Sequence, residues 1–129
     1  MAVRISGRIL VVDDDEDLRD VCVEILSASG YTVETASGGL EALEKISGGD
    51  WDLVLTDFIM PDMDGITLYE SSIRDSPGMK NRFIFMTGAY DSMHALNTLS
   101  MPCIKKPFRV KDFLAHIDMS MAKALEESY

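Results

Sequence analysis

The 129-residue chain is expected to be an α/β protein: five βα units forming a doubly wound parallel sheet with helices on both faces. Three observations carry this. Short apolar runs of strand length alternate with stretches whose apolar residues recur at helical spacing. Gly, Pro and Ser/Asp clusters punctuate the alternation. Residues capable of chemistry gather where the apolar runs end.

The elements follow in order. "RILVV" (8–12) is a buried-strand run. From Glu16, the recurrence of Leu18, Val21, Cys22 and Ile25 predicts a helix that Gly30 stops. "YTVET" (31–35) reads as a strand and "LEALEKI" (40–46) as a short helix ended by Gly48 and Gly49. "DLVLT" (52–56) is a strand, followed by turn chemistry in "MPDMDG" (60–65). Ile66, Tyr69 and Ile73 mark a third helix, closed by "SPG". "RFIFM" (82–86) is a fourth strand. A short, weak helix spans 91–99, begun by Tyr90 and Asp91 and ending near Asn97, Thr98 and Ser100. "PCI" (102–104) is a fifth strand, and Val110, Phe113, Leu114, Ile117 and Met121 give a long final helix. There is no internal repeat, low-complexity tract or long linker. Residues 1–129 fit one domain, with a core of about 8–123.

Composition narrows the function. At 47% hydrophobic residues the chain is too apolar for disorder. Lys plus Arg number 12 against 22 Asp plus Glu, a formal charge of −10, which argues against a direct nucleic-acid surface. Cys22 and Cys103 sit in apolar segments and read as reduced thiols, so a reducing, cytoplasmic setting is expected. The opening "MAVRISG" carries no signal-peptide pattern, and no apolar run approaches the ~20 residues of a membrane span. His94 and His116 read as surface or packing residues, and the nine methionines as core filler and loop residues.

In an open parallel sheet, ligands bind beyond the carboxyl ends of the strands. There the sequence places Asp13 and Asp14 after strand one, Asp57 after strand three, Thr87 and Gly88 after strand four, and Lys105 and Lys106 after strand five. Three carboxylates need a counter-charge, and Mg²⁺ suits a site with few protein oxygens (Mn²⁺ is a possible substitute). A lysine, a hydroxyl and a glycine N–H add positive charge and donors. The set suits a phosphoryl group, whose transfer rests on positioning and charge neutralisation. With no phosphate-cradling Gly-rich loop, a carboxylate of the protein itself is the expected nucleophile. Asp15 stands where the first helix needs an N-cap, and Glu16 and Asp17 fill its first turn, where the macrodipole favours acids.

"VVDDDEDLR", "LVLTDFIMPDMDG", "FMTGAYD" and "KKPF", in this order and spacing, resemble the receiver domain of two-component response regulators. The resemblance covers roughly Arg8 to Lys123. It implies a flavodoxin-like (βα)5 sheet of order 2-1-3-4-5 and a phosphorylation switch rather than an enzyme acting on external substrates. It implies that Asp57 accepts the phosphoryl group and that Asp13, Asp14, Asp57 and the Ile59 backbone carbonyl hold Mg²⁺, Asp14 directly and Asp13 through water. It also implies that Thr87 is the switch hydroxyl, that Lys106 pairs with the phosphoryl group across a cis Lys106–Pro107 bond, and that the Gly88 N–H contacts the phosphate. The donor would be a histidine kinase or a histidine phosphotransfer protein; the effector is unspecified, and the chain is expected to be a monomer or weak dimer. Two features depart from the family pattern. Cys103 stands where an aromatic often reports phosphorylation, and the Thr87–Lys106 interval is shorter by roughly one helical turn, about 3–4 residues.

Two rival readings remain. Asp13-x-Asp15 after a strand resembles the nucleophile motif of haloacid-dehalogenase-type phosphatases, with Asp13 as nucleophile, although the late acidic metal motif such an enzyme needs is replaced by Thr87 and Lys106. A degenerate, non-phosphorylated adaptor would not need the full set of site residues.

Overall fold

A computed structural model describes residues 7–88, 94–97 and 99–126. The elements are β1 (Arg8–Val12), α1 (Glu16–Ala28), β2 (Thr32–Ala36), α2 (Gly39–Ser47), β3 (Leu53–Asp57) and α3 (Gly65–Asp75). A 3₁₀ turn at Pro77–Met79 precedes β4 (Phe83–Thr87). Residues 94–97 are helical and form α4. β5 (Cys103–Lys105) and the final helix α5 (Val110–Glu126) complete the chain. The expected start of the fourth helix at Tyr90 and Asp91, and Thr98 near its end, lie outside the described residues.

All neighbouring strands are parallel, in the order β2-β1-β3-β4-β5. The sheet is doubly wound, as the alternation of apolar runs predicts. Because successive strand residues point to opposite faces, its central strands build two cores. Ile9, Val11, Leu53, Leu55, Ile84, Met86 and Ile104 pack against Cys22 and Leu26 of α1 and Phe113, Ile117 and Met121 of α5. Leu10, Val12, Val54, Phe83 and Phe85 pack against Ala42 and Ile46 of α2, Leu68 of α3 and Leu96 of α4. β3 and β4 are buried along their whole length, whereas the edge strand β2 alternates with exposed positions. That is why β3 and β4 read as continuous apolar runs.

Helix boundaries follow local chemistry. Asp15 caps α1, its carboxylate accepting from the Asp17 N–H at 3.0 Å and the Leu18 N–H at 3.3 Å. Gly30 takes φ 99° after α1, a left-handed backbone that favours glycine. The helix forms where the apolar spacing predicts it, and its buried face is narrow. Val21 is 45% exposed, while Leu26, one turn on from Cys22, is fully buried. Cys22 and Leu26 line the buried face, and Val21 stands at its solvent edge. Trp51 is buried before β3, its Nε1–H donating to the Lys45 carbonyl at 2.8 Å.

Candidate functional site

The carboxyl ends of β1, β3, β4 and β5 form one rim. Asp13 and Asp14 follow β1, while Asp57, Thr87 and Lys105 are the last residues of their strands. These three thus end their strands instead of following them, because the ladder runs one residue further: Asp57 pairs with Met86 and Thr87 with Lys105.

Asp13, Asp14 and Asp57 each offer a carboxylate oxygen, all within 4.8 Å of one another. Their surroundings differ. Asp13 is fully buried and Asp14 is exposed, while Asp57 is buried at the rim. Asp13 accepts from the Asp15 N–H at 2.9 Å and from Lys106 Nζ at 2.9 Å. The same Nζ lies 3.3 Å from Asp57 Oδ1. Arg19, one turn into α1, reaches back to donate to the Asp13 carbonyl at 2.8 Å and pins the strand–helix junction. No sequence signal singled out Arg19, because its partner is a main-chain oxygen.

Electrostatics follow from this packing. Burial, then the Asp13 charge, push the Asp57 carboxyl above its ordinary range, against opposing contributions from Lys106 and the Ile59 N–H. For Lys106, burial works against the charge, but hydrogen bonding and charge from Asp13, then Asp57, outweigh it and raise its pKa. Cys22 lies beneath the site; burial first, then Asp13, push its thiol up to about 12, so it is protonated and inert at neutral pH.

Thr87 is buried at the end of β4, and its carbonyl accepts the Lys106 N–H at 2.9 Å. The Lys106–Pro107 peptide is cis. Among the described residues, a Cβ at Gly88 would meet Lys106 atoms alone, at 3.6 Å and beyond, which is ordinary contact. Gly65 is different: a Cβ there would lie 2.8 Å from the Asp57 carbonyl oxygen and 3.2 Å from Phe58 Cα. The Gly65 N–H donates to the Phe58 carbonyl at 2.7 Å, closing the loop that follows Asp57.

A dication fits this donor set. Three clustered carboxylates offer hard oxygen ligands, and a positive ion would offset both the burial and, second to it, the Asp13 charge that raise the Asp57 pKa.

A fold of this order with an acidic rim and an opposed lysine defines a class of signalling switch, and the comparisons agree. The family model described as "Response regulator receiver domain" matches residues 9–118, and the chain belongs to that family. It is 34% identical over 122 residues to the response regulator receiver protein CpdR of Brucella abortus (strain 2308), covering 91% of this chain and 98% of CpdR. It is also 34% identical over 123 residues to the sensor kinase CckA of the same strain, covering 92% of this chain but 13% of that kinase. Against the transcriptional regulatory protein DltR of Streptococcus agalactiae it spans half the relative's length. Among solved structures it resembles a CheY-like receiver domain protein from Methanospirillum hungatei JF-1, with a TM-score of 0.82, 36% identity and coverage of 94% of this chain and 98% of that one.

Proposed function

We propose that residues 1–129 are one cytoplasmic receiver unit that accepts a phosphoryl group on Asp57 from a histidine kinase or histidine phosphotransfer protein and slowly hydrolyses it. The observation that carries this reading is the convergence of three carboxylates with Lys106 bridging Asp13 and Asp57. An Asp57 carboxylate oxygen attacks phosphorus, forming an O–P bond. The donor's N–P bond breaks, and its electron pair returns to the imidazole, which takes up a proton. Asp13, Asp14, Asp57 and the Ile59 carbonyl would hold Mg²⁺. When bound, Mg²⁺ neutralises charge on the phosphoryl oxygens. Lys106 supplies a second positive charge, while the Thr87 hydroxyl and Gly88 N–H supply donors.

Burial of Asp13 disfavours the phosphatase reading, since a nucleophile for external substrates must be reachable. An apolar groove lined by Asp15, Leu18, Val21, Pro107 and Phe108 shares Lys106 with the site, and a donor helix presenting its histidine would lie there. Among the described residues no helix is long and apolar enough to cross a membrane. The chain's output goes to an effector of unspecified kind, with no direct nucleic-acid contact, from a monomer or weak dimer.

The test is intact-mass measurement after acetyl phosphate with Mg²⁺. One added phosphoryl group is expected, and none in Asp57→Asn. Label that persists in the variant and maps to Asp13 would sink the reading.

A further inference from the structure

The loop after Asp57 is tied to a helix with no cap of its own. The N-cap of α2 is Gly38, which brings no side chain to the first-turn N–H groups. Asp62 supplies the missing acceptor from across the fold: its carboxylate takes the Gly39 N–H at 3.1 Å and the Leu40 N–H at 3.0 Å. It also takes the Met63 N–H at 3.0 Å. Donation from Leu40 first, with Gly39 and the loop's own N–H groups behind it, holds the Asp62 carboxyl below its ordinary range.

The two glycines permit this close approach. A Cβ on Gly39 would lie 2.1 Å from Met63 Cγ, and one on Gly38 would lie 2.8 Å from an Asp62 carboxylate oxygen. Neither glycine has the left-handed backbone that would explain it otherwise. The loop is thus anchored at both ends and in the middle: the Phe58 N–H donates to the Met86 carbonyl at 2.9 Å, Gly65 donates to the Phe58 carbonyl, and Asp62 grips α2. Ile59 lies within this span.

We propose that Asp62 is a positioning residue for the metal site: by capping α2 across the fold, it holds the loop whose Ile59 carbonyl is assigned to Mg²⁺. The inference rests on the phosphoacceptor reading. Asp62 touches neither the phosphoryl group nor the ion. Its action is that of an outer-shell partner, whose loss typically weakens metal binding about 10–100-fold.

Mg²⁺ titrations followed by amide chemical shifts give binding directly in wild type, Asp62→Ala and Asp62→Asn. Hydrogen exchange at Gly39 and Leu40 reports the cap. Labelling by acetyl phosphate at limiting and saturating Mg²⁺ separates binding from chemistry. Asp62→Ala should weaken Mg²⁺ binding by about tenfold, the low end of that range. It should also speed exchange at Gly39 and Leu40, and leave labelling at saturating Mg²⁺ near the wild-type rate. Asp62→Asn keeps an acceptor oxygen and should lose less; it decides the matter if the alanine variant does not fold. Faster exchange with unchanged Mg²⁺ affinity would reduce Asp62 to a helix cap and overturn the proposal alone. A wild-type protein that binds no Mg²⁺ would overturn the phosphoacceptor reading, and this inference with it.

Discussion

Lys106 Nζ lies 2.9 Å from Asp13 Oδ2, a contact between residues 93 apart in sequence in which the carboxylate side is almost wholly buried. It ties the end of β5 to the end of β1 and sets the charge balance around Asp57.

Removing the ammonium should therefore cost stability before any chemistry is measured. Lys106→Met leaves Asp13 buried with, among the described residues, only the Asp15 N–H. Breaking a buried pair typically costs about 3–5 kcal/mol, and partial exposure of Lys106 brings the expected loss to about 2 kcal/mol. Urea unfolding without Mg²⁺ measures it. Added Mg²⁺ should offset part of the loss, since an ion that binds the folded state alone stabilises it. No loss in metal-free buffer would mean the pair contributes nothing.

Gly65 is required by space. In Gly65→Ala the new methyl meets the Asp57 carbonyl oxygen at 2.8 Å and Phe85 Cδ1 at 3.1 Å. Overpacking of this kind costs about 1–3 kcal/mol. Because the displaced atoms belong to Asp57 and Phe58, labelling by acetyl phosphate should slow as well. A variant with wild-type stability and rate would show that the loop shifts freely.

Trp51 should be silent to the metal. It precedes β3 and Asp57 ends that strand, so at about 3.3 Å per residue they lie roughly 20 Å apart. The Arg8 guanidinium sits 4.5 Å over the indole ring, and the Lys45 carbonyl holds its N–H. Emission should report unfolding and stay unchanged as Mg²⁺ is titrated. Strong quenching by Mg²⁺ would contradict this placement.

Alkaline pH should weaken the link between Tyr31, before β2, and α5. The Tyr31 hydroxyl donates to Asp118 Oδ1 at 2.5 Å. Burial, then that bond and the Asp118 charge, raise the phenol above its ordinary value of 10.0. Above that value the unfolded chain releases a proton that the folded chain keeps. Stability therefore falls as pH rises toward the folded value, and the contribution is complete below the ordinary one. Tyr31→Phe should cost about 1 kcal/mol at neutral pH. It should also flatten the alkaline decline in urea unfolding; an equally steep decline in the variant would assign it to other groups.

Much of this protein was readable from its residues alone. The order of apolar runs and helical spacings specified the doubly wound sheet, because strands buried on both faces read as unbroken apolar runs and their ends must face the rim. The rule that ligands bind beyond the strand ends placed Asp13, Asp14, Asp57, Thr87, Gly88 and Lys106 there; the family resemblance gave them their roles and implied the strand order and the cis Lys106–Pro107 bond. The Asp15 cap was also legible, because capping depends on neighbours a few residues away. Tertiary structure decided the rest. Val21 fits the helical stripe as well as Leu18 or Cys22 does, yet stands in solvent, since the breadth of a buried stripe depends on what packs against it. That Asp13 is buried and paired while Asp14 is exposed depends on where β5 delivers Lys106. Asp62 looks like a turn residue in "MPDMDG"; only the fold brings the uncapped end of α2 within 3.1 Å of its carboxylate. Arg19 reaches a main-chain carbonyl, and Tyr31 meets Asp118 from 87 residues away. The first leaves no signature because any residue offers a carbonyl, and the second because 87 residues of chain constrain neither distance nor direction until the sheet has formed.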